Sequence, residues 1–216
     1  MRKLILQFIY SFCVRSFLKI IVGVKFESAR FLLNETQFII VANHNSHLDT
    51  MTLMASVPGK LINKVKPVAA ADHFGRNGLQ ARLSNYFINT LLIPRKRDNE
   101  NLENDPINKM LKALDDGFSL ILFPEGSRGE PEKIQPFKRG IGIVLSQRPR
   151  IKYVPAYLTG MGKAMPKGDN LIVPINSSLT YGNPTKIANQ DVDAIIAQVE
   201  KDIIELRDKQ LMSKNA

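Results

Sequence analysis

The sequence of 216 residues is 44% hydrophobic, which suits one folded domain and excludes a disordered chain. Its one cysteine excludes an intramolecular disulfide and favours a reducing compartment. The formal net charge of +10 indicates anionic partners in general, because lipid headgroups, phosphorylated substrates and nucleic acid all attract a basic surface.

Residues 1–26 predict an amphipathic helix that lies in a membrane interface. Polar or basic residues recur every four positions and leave a wide face of Leu, Ile, Phe and Val: Lys3, Gln7, Ser11, Arg15 and Lys19. Arg15 and Lys19 argue against a membrane-spanning helix. A signal peptide is a poor interpretation, because Arg15 interrupts the apolar run and no Ala-x-Ala site follows. A first helix that packs on the domain's own core is the alternative.

In the interfacial arrangement, Lys3, Arg15 and Lys19 meet anionic headgroups. The apolar face enters the acyl boundary through Leu4, Ile5, Phe8, Ile9, Phe12, Phe17 and Leu18. The chain is accordingly divided into a membrane-associating segment, residues 1–26, and one folded domain, residues 27–216.

Short apolar runs alternate with helical patterns along the rest of the chain. The runs predict strands at residues 37–42, 66–71, 87–93, 118–123, 153–158 and 171–179. A capping pattern at Ser46 and Asp49 opens one helix, Asp105-Pro106 opens a second that ends at Gly117, and a third begins at Asp191. This alternation predicts an α/β fold, a mixed sheet flanked by helices, with sites near the carboxyl ends of strands.

The first polar motif, residues 43–49, directly follows a predicted strand and contains His44 and Asp49. A hydroxyl becomes a good nucleophile when a base takes its proton, and histidine suits that role because the pKa of imidazole lies near neutral pH. Within one helix a spacing of five places two side chains about 140° apart. The pair can meet if His44 lies in the loop and Asp49 in the first helical turn. The alternative is a loop histidine beside ordinary capping residues.

The second polar motif, Phe-Pro-Glu-Gly-Ser-Arg at residues 123–128, follows another predicted strand. The planar guanidinium of Arg128 fits a phosphate, and Gly126 allows backbone N–H groups to approach an anion. Glu125 could accept a hydrogen bond from an acceptor hydroxyl or brace Arg128. The alternative is an ordinary turn with a local ion pair.

Together the two motifs resemble those of the glycerophospholipid acyltransferase family, whose best-known members are the lysophosphatidic acid acyltransferases. His44 and Asp49 match its His-x-x-x-x-Asp element, and residues 123–128 match Phe-Pro-Glu-Gly-Thr-Arg with Ser127 for Thr. An arginine after a short apolar strand, Arg95, and a strand that contains Pro155 match two further motifs. The resemblance covers roughly residues 37–185.

Three positions depart from the family pattern. Asn89 stands where Gly is frequent, Pro94 where Asp is frequent, and Gly129-Glu130 where a small hydroxyl residue is common. The second and third departures fall in the implied headgroup pocket, so they bear on the identity of the acceptor.

The resemblance implies a catalytic pair, in which His44 is the base and Asp49 its partner. It implies that the acceptor is bound by Arg95, Glu125, Gly126, Ser127 and Arg128, with the two arginines on the phosphate. Pro155 becomes a candidate for the acyl site.

The implied reaction moves a fatty acyl group from acyl-CoA or acyl-carrier protein to the free hydroxyl of a lysophospholipid. The expected acceptor is 1-acylglycerol-3-phosphate, which gives phosphatidic acid in phospholipid biosynthesis. We expect no metal, no prosthetic group and no nucleic-acid partner, and a location on the cytoplasmic face of the cell membrane.

Other interpretations account for less of the sequence. An acyltransferase for a lipid acceptor without a phosphomonoester stays open. A non-enzymatic basic protein that binds membranes or nucleic acid explains the charge but gives no reason for His44, Asp49 and residues 125–128. A metal site of His44, His47, Asp49 and His73 is disfavoured because His44 precedes the helix. A serine hydrolase would need Gly-x-Ser-x-Gly, which is absent.

Overall fold

A computed structural model describes residues 2–71, 89–95, 102–166, 168 and 171–215. Within these residues a seven-stranded sheet has the order β1-β7-β6-β2-β5-β3-β4. The strands are β1 Val24–Phe26, β2 Phe38–Ala42, β3 Val65–Ala70, β4 Leu91–Ile93, β5 Ser119–Leu122, β6 Lys152–Thr159 and β7 Ser177–Tyr181. Neighbouring strands are parallel except β6 and β7, which are antiparallel. The predicted mixed α/β sheet is confirmed.

Helices cover both faces of this sheet. They are α1 Arg2–Val22, α2 Leu48–Ser56, α3 Pro106–Asp115, α4 Gly140–Gln147, α5 Met161–Ala164 and α6 Val192–Asn215, with short 3₁₀ turns at Arg30–Asn34 and Leu102–Asn104. Side chains alternate along β2, so Ile40 and Ala42 pack with α1 and α2 while Ile39 and Val41 pack with α3, α4 and α6. Two apolar layers therefore enclose the sheet.

The helix boundaries follow the local sequence signals. The side chain of Asp105 accepts hydrogen bonds from the backbone N–H groups of Ile107 and Asn108, and Pro106 is the first helical residue of α3. Gly117, with φ of +81°, lies in the left-handed region that ends the helix. At α6 the carboxylate of Asp191 accepts from the backbone N–H of Ala194.

The strand predictions were wrong in one place and too long in another. Residues 171–176 form no strand, because the N–H groups of Val173 and Ile175 donate to the carbonyls of Ala164 and Val22 instead of to a neighbouring strand. Only Ser177–Tyr181 joins the sheet. In the predicted strand 87–93, β4 begins at Leu91, and residues 87 and 88 lie outside the described residues.

Helix α1 packs against the domain with one side. Leu6, Tyr10, Leu18 and Val22 are buried in the layer beneath α2. The expectation that Leu18 enters the acyl boundary was therefore wrong. The reason is geometric: π-helical turns at Ile9–Val14 and Leu18–Val22 change the angle between successive side chains, so a spacing of 100° does not hold along the whole helix.

The expectation that Arg15 meets headgroups was also wrong. Its Nη1 donates to the carbonyl of Ala55 at 2.8 Å, and its guanidinium lies 4.5 Å from the centre of the Phe26 ring. The last carbonyls of a helix have no partner within the helix, so a cation at the end of α2 is favourable there. Arg15 attaches α1 to the domain.

Five other apolar residues of α1 face outward, whereas Ile9, Val14 and Phe17 are half-buried against the same core. Leu4, Phe8, Phe12, Ile20 and Ile21 are exposed, and the rings of Phe8 and Phe12 stack with their centres 5.6 Å apart. By length and composition, α1 could cross a membrane, although helices of other kinds pass the same test. The strand β1 follows at once and pairs with β7, while the proposed division at residue 26 stays a prediction.

Candidate active site

The site lies where the adjacent parallel strands β2 and β5 end. Val41 pairs with Leu122, so the loops after these strands leave the sheet side by side. His44 lies in the first loop and Glu125 in the second. The topology thus brings together two motifs that are 81 residues apart.

His44 and Asp49 are in direct contact. Nδ1 of His44 lies 2.8 Å from Oδ2 of Asp49, whose side chain is buried. The same Oδ2 accepts the backbone N–H groups of Asn45 and Ser46, each at 2.8 Å. Asp49 is in the first turn of α2 and His44 precedes the helix, as the contact requires. One carboxylate oxygen therefore fixes the loop backbone and the imidazole together.

This contact decides which nitrogen of His44 carries the proton. A buried carboxylate can only accept, so Nδ1 donates, and in the neutral ring the lone pair then lies on Nε2. The ring also stacks on Phe123, with centres 3.9 Å apart and planes 16° apart. A carboxylate at one edge and an aromatic ring on one face hold the imidazole in a single orientation.

Glu125 supports the backbone of His44 from the neighbouring loop. Its Oε1 accepts the N–H of His44 at 2.8 Å, and its Oε2 accepts the N–H of Gln135 at 3.2 Å. Burial raises the pKa of Glu125 to about 7, partly opposed by these two hydrogen bonds. The sequence suggested a substrate contact or a brace for Arg128, whereas the structure shows both oxygens engaged with backbone.

A further hydrogen bond ties the two loops together. The N–H of Gly129 donates to the carbonyl of His44 at 2.9 Å. Gly126, with φ of +71°, permits the turn in which its N–H donates to the carbonyl of Phe123. Gly126 and Ser127 are exposed in this loop.

The two arginines lie within electrostatic range of each other. Burial lowers the pKa of Arg128, the nearby charge of Arg95 lowers it further, and Asp49 opposes both. Arg95 is exposed directly after β4, and Nη1 of Arg128 contacts Nε2 of His47. A patch of basic side chains therefore adjoins the His44–Asp49 pair.

Two asparagines of the first motif, Asn43 and Asn45, hold the site loops in place, and this role was not predicted from the sequence. The side chain of Asn43 accepts from the N–H of Leu158 and donates to its carbonyl, which extends the pairing of β2 with β6 beyond Ala42. Asn45 donates to the carbonyl of Lys133 at 3.0 Å. An amide on each side of His44 was the available signal, because a side-chain amide carries a donor and an acceptor on separate atoms in fixed directions.

Pro155 lies farther from this group of residues. It is buried in β6 beside Val41, and Gly182 donates its N–H to the Pro155 carbonyl. By alternation it shares the sheet face of Tyr153 and Tyr157, which pack towards α6. Its acyl-site role stays a prediction.

The described residues hold no group of three or more His, Cys, Asp or Glu side chains placed to bind a metal ion. His73, the fourth residue of the alternative metal site, lies outside the described residues.

A histidine held by a buried carboxylate, beside a basic loop at the carboxyl edge of the sheet, is an arrangement suited to general-base chemistry on an α/β fold. A family model described as Acyltransferase matches residues 23–178, more than half of the chain. The chain belongs to the Acyltransferase family.

Curated relatives are similar at modest identity. A chloroplastic 1-acyl-sn-glycerol-3-phosphate acyltransferase of Arabidopsis thaliana is 26% identical over 166 residues, covering 77% of this chain and 42% of the relative. A 1-acyl-sn-glycerol-3-phosphate acyltransferase of Cocos nucifera is 28% identical over 169 residues, covering 77% and 52%. The chain spans about half or less of the length of these relatives.

A solved structure shows the same fold. The crystal structure of the 1-acyl-sn-glycerophosphate (LPA) acyltransferase PlsC from Thermotoga maritima aligns with a TM-score of 0.73 and 20% identity. The alignment covers 95% of this chain and 81% of that chain.

Proposed function

We propose that this chain is an enzyme that transfers a fatty acyl group from a thioester to the free hydroxyl of a lysophospholipid. The observation that carries the proposal is the contact between Nδ1 of His44 and Oδ2 of Asp49. It leaves Nε2 as the base, which is the group that activation of an alcohol requires. The family membership and the names of the curated relatives support the same reaction.

In the proposed mechanism, Nε2 of His44 takes the hydroxyl proton as the acceptor oxygen attacks the thioester carbonyl. The carbon–sulfur bond then breaks, and the departing thiolate receives the proton from the imidazolium. Asp49 stabilises the imidazolium between the two steps. Glu125 and Phe123 hold the imidazole in place, because one fixes the His44 backbone and the other the face of its ring.

The acceptor that fits this site best is 1-acylglycerol-3-phosphate, which would give phosphatidic acid. Arg128 and Arg95 place two cations beside the catalytic pair, and a guanidinium binds the oxygens of a phosphomonoester through paired hydrogen bonds. The donor is acyl-CoA or acyl-carrier protein, with no metal and no prosthetic group. The exposed apolar side of α1 supports action at a membrane. We place that action on the cytoplasmic face as part of the proposal.

A second candidate is an acyltransferase for a lysolipid without a phosphomonoester. Pro94 precedes Arg95 directly, and Gly129 and Glu130 follow Arg128, so the departures from the family pattern flank the two proposed phosphate ligands. The Gly129 N–H is committed to the His44 carbonyl, and the exposed carboxylate of Glu130 pairs with Lys133. The headgroup of the preferred acceptor therefore distinguishes the two candidates.

The test is mass spectrometry of products from purified protein offered a panel of lysolipids with both donors. We expect phosphatidic acid from 1-acylglycerol-3-phosphate, and a loss of about 10²–10⁴-fold in His44→Ala, the usual cost of a lost general base. Preference for an acceptor without a phosphomonoester would select the second candidate. Absence of any acylated product from the folded wild-type protein would contradict acyl transfer altogether.

A further inference from the structure

A groove of about 610 Å³ lies between α1 and the domain, away from the catalytic loops. Its walls come from α1, from the residues after β1, from the 3₁₀ turn Arg30–Asn34 and from the residues after α2. The axis of α2 connects the two places: Asp49 is in its first turn, and Ala55 and Ser56 at its last residues line the groove. At 1.5 Å per residue the helix separates groove and His44 by roughly 12 Å.

The groove is basic. Arg15, Arg30 and Lys60 line it, and no acidic residue is among the lining residues that the structure describes. Arg15 is committed to the carbonyl of Ala55, but Arg30 and Lys60 are exposed and form no hydrogen bond or ion pair within the described part of the chain. The carboxylate of Glu27 accepts the backbone N–H of Tyr181 and so points to β7. Two cations are therefore available to an anion.

The groove also offers an apolar path that continues onto α1. Leu33 is 45% exposed at its wall, near Val57 and Pro58. Gln7 and Ser11 line the groove, and Phe8 and Phe12, the next residue in each case, are exposed. Successive residues lie about 100° apart in an α-helical turn and closer in the wider π-helical turn that contains Ser11 and Phe12, so the outward apolar side of α1 borders the groove directly. A ligand with its anionic end in the groove can lay apolar chains along this border.

We infer that the groove binds one anionic phospholipid of the bilayer, with its phosphate on Arg30 and Lys60 and its chains beside Leu33, Phe8 and Phe12. The charge of the groove selects the phosphate, and its continuity with the exposed side of α1 selects a lipid over a soluble anion. This site is separate from the catalytic one and anchors the domain in one orientation on an anionic membrane.

The first experiment compares two double variants with equal loss of charge. Arg30→Gln with Lys60→Gln removes the two groove cations, and Lys112→Gln with Lys201→Gln removes two exposed cations from α3 and α6 on the other face of the sheet. Co-sedimentation is measured with phosphatidylcholine vesicles that contain phosphatidylglycerol. We expect the groove variant to bind about tenfold more weakly than wild type, since each basic residue near an anionic surface contributes several-fold.

Three outcomes would overturn the inference. Equal losses in both double variants would show that only general surface charge matters. Unchanged binding of the groove variant would show that the groove takes no lipid. An equal loss on vesicles of phosphatidylcholine alone would show that the substitutions disturb the apolar contact rather than a phosphate site.

The second experiment separates a lipid from free phosphate. Backbone amide signals of Gln7 and Ser11 are followed by NMR during titration with short-chain phosphatidylglycerol and, separately, with inorganic phosphate. We expect the lipid alone to shift both signals in wild type and not in the groove variant. Equal shifts with inorganic phosphate would overturn the assignment to a lipid. Neither experiment measures acyl transfer. Failure of the lipid-site inference is therefore distinguishable from failure of the proposed enzyme activity.

Discussion

The two ends of helix α2 differ in how their polar groups are used. At its start the Oδ2 of Asp49 accepts three hydrogen bonds, and Glu125 accepts two from backbone groups in different loops. At its end the Arg30 and Lys60 side chains are exposed beside outward apolar residues of α1. The proposed chemistry needs one orientation of one ring, which these hydrogen bonds hold, whereas binding to a fluid membrane needs exposed groups.

Among changes at the start of α2, Asp49→Asn should lower the rate of acyl transfer most. An amide can stabilise the wrong imidazole tautomer and cannot neutralise the imidazolium, so we expect acyl transfer to fall by about 10²–10⁴-fold. Steady-state rates measure the loss, and circular dichroism checks the fold, since the amide can still accept the loop N–H groups. Near-normal turnover in a folded Asp49→Asn protein would remove the aspartate from the mechanism.

Glu125→Gln should remove the pH dependence that the buried carboxyl of Glu125 gives to the free energy of unfolding. Its folded pKa of about 7 lies above the ordinary 4.5, so the folded state binds the proton more tightly than the unfolded state. This contribution to stability is complete below pH 4.5 and is lost as pH rises through about 7. We expect the free energy of unfolding of wild type, relative to Glu125→Gln, to fall by up to about 3 kcal/mol over that range. Urea unfolding at several pH values measures it, and a difference independent of pH would contradict it.

Arg128→Ala and Arg95→Ala should separate acceptor binding from chemistry. If each arginine meets a phosphate, its loss removes a charge-assisted hydrogen bond, and we expect KM for 1-acylglycerol-3-phosphate to rise about tenfold to a hundredfold. KM for the acyl donor should change much less. Arg139→Ala is a matched control, because that arginine pairs with Asp193 at the surface. Unchanged acceptor kinetics in both variants would count against a phosphomonoester.

Phe8→Ser with Phe12→Ser should weaken membrane binding by the outward side of α1 with little effect on the fold. Both rings are more than 60% exposed, whereas deletion of α1 would remove the core residues Leu18 and Val22. We expect binding to phosphatidylcholine vesicles to fall several-fold, because two apolar rings leave the bilayer. Leu211→Ser with Met212→Ser, also exposed, is the control on α6. Equal binding of the two double variants would refute the role of the outward side of α1.

Much of the frame of the site could be predicted from the sequence. The apolar run before His44 and the capping pattern at Asp49 are local signals, and together they require a loop followed by a helix. That geometry allows contact at a spacing of five, which a continuous helix does not, and the structure has it. The α/β alternation then predicts that the site lies at the carboxyl ends of parallel strands, which are β2 and β5 in the structure.

What the sequence missed depends on contacts between distant segments or on irregular helix geometry. Glu125 supports the His44 backbone only because two loops leave neighbouring strands, and the stacking of Phe123 on His44 has the same origin. Leu18 was misplaced because π-helical turns alter the angular spacing in α1. The predicted strand at 171–176 failed because its N–H groups bond to α1 and α5, which no local pattern indicates.

The tautomer of His44 tests the central claim most directly. Nitrogen chemical shifts of the imidazole, measured by NMR on labelled protein at a pH where the ring is neutral, show which nitrogen carries the proton. If Oδ2 of Asp49 holds the ring as the structure indicates, the proton is on Nδ1 and Nε2 has the free lone pair. A ring protonated on Nε2 in the wild-type protein would leave no base facing the acceptor and would contradict the account.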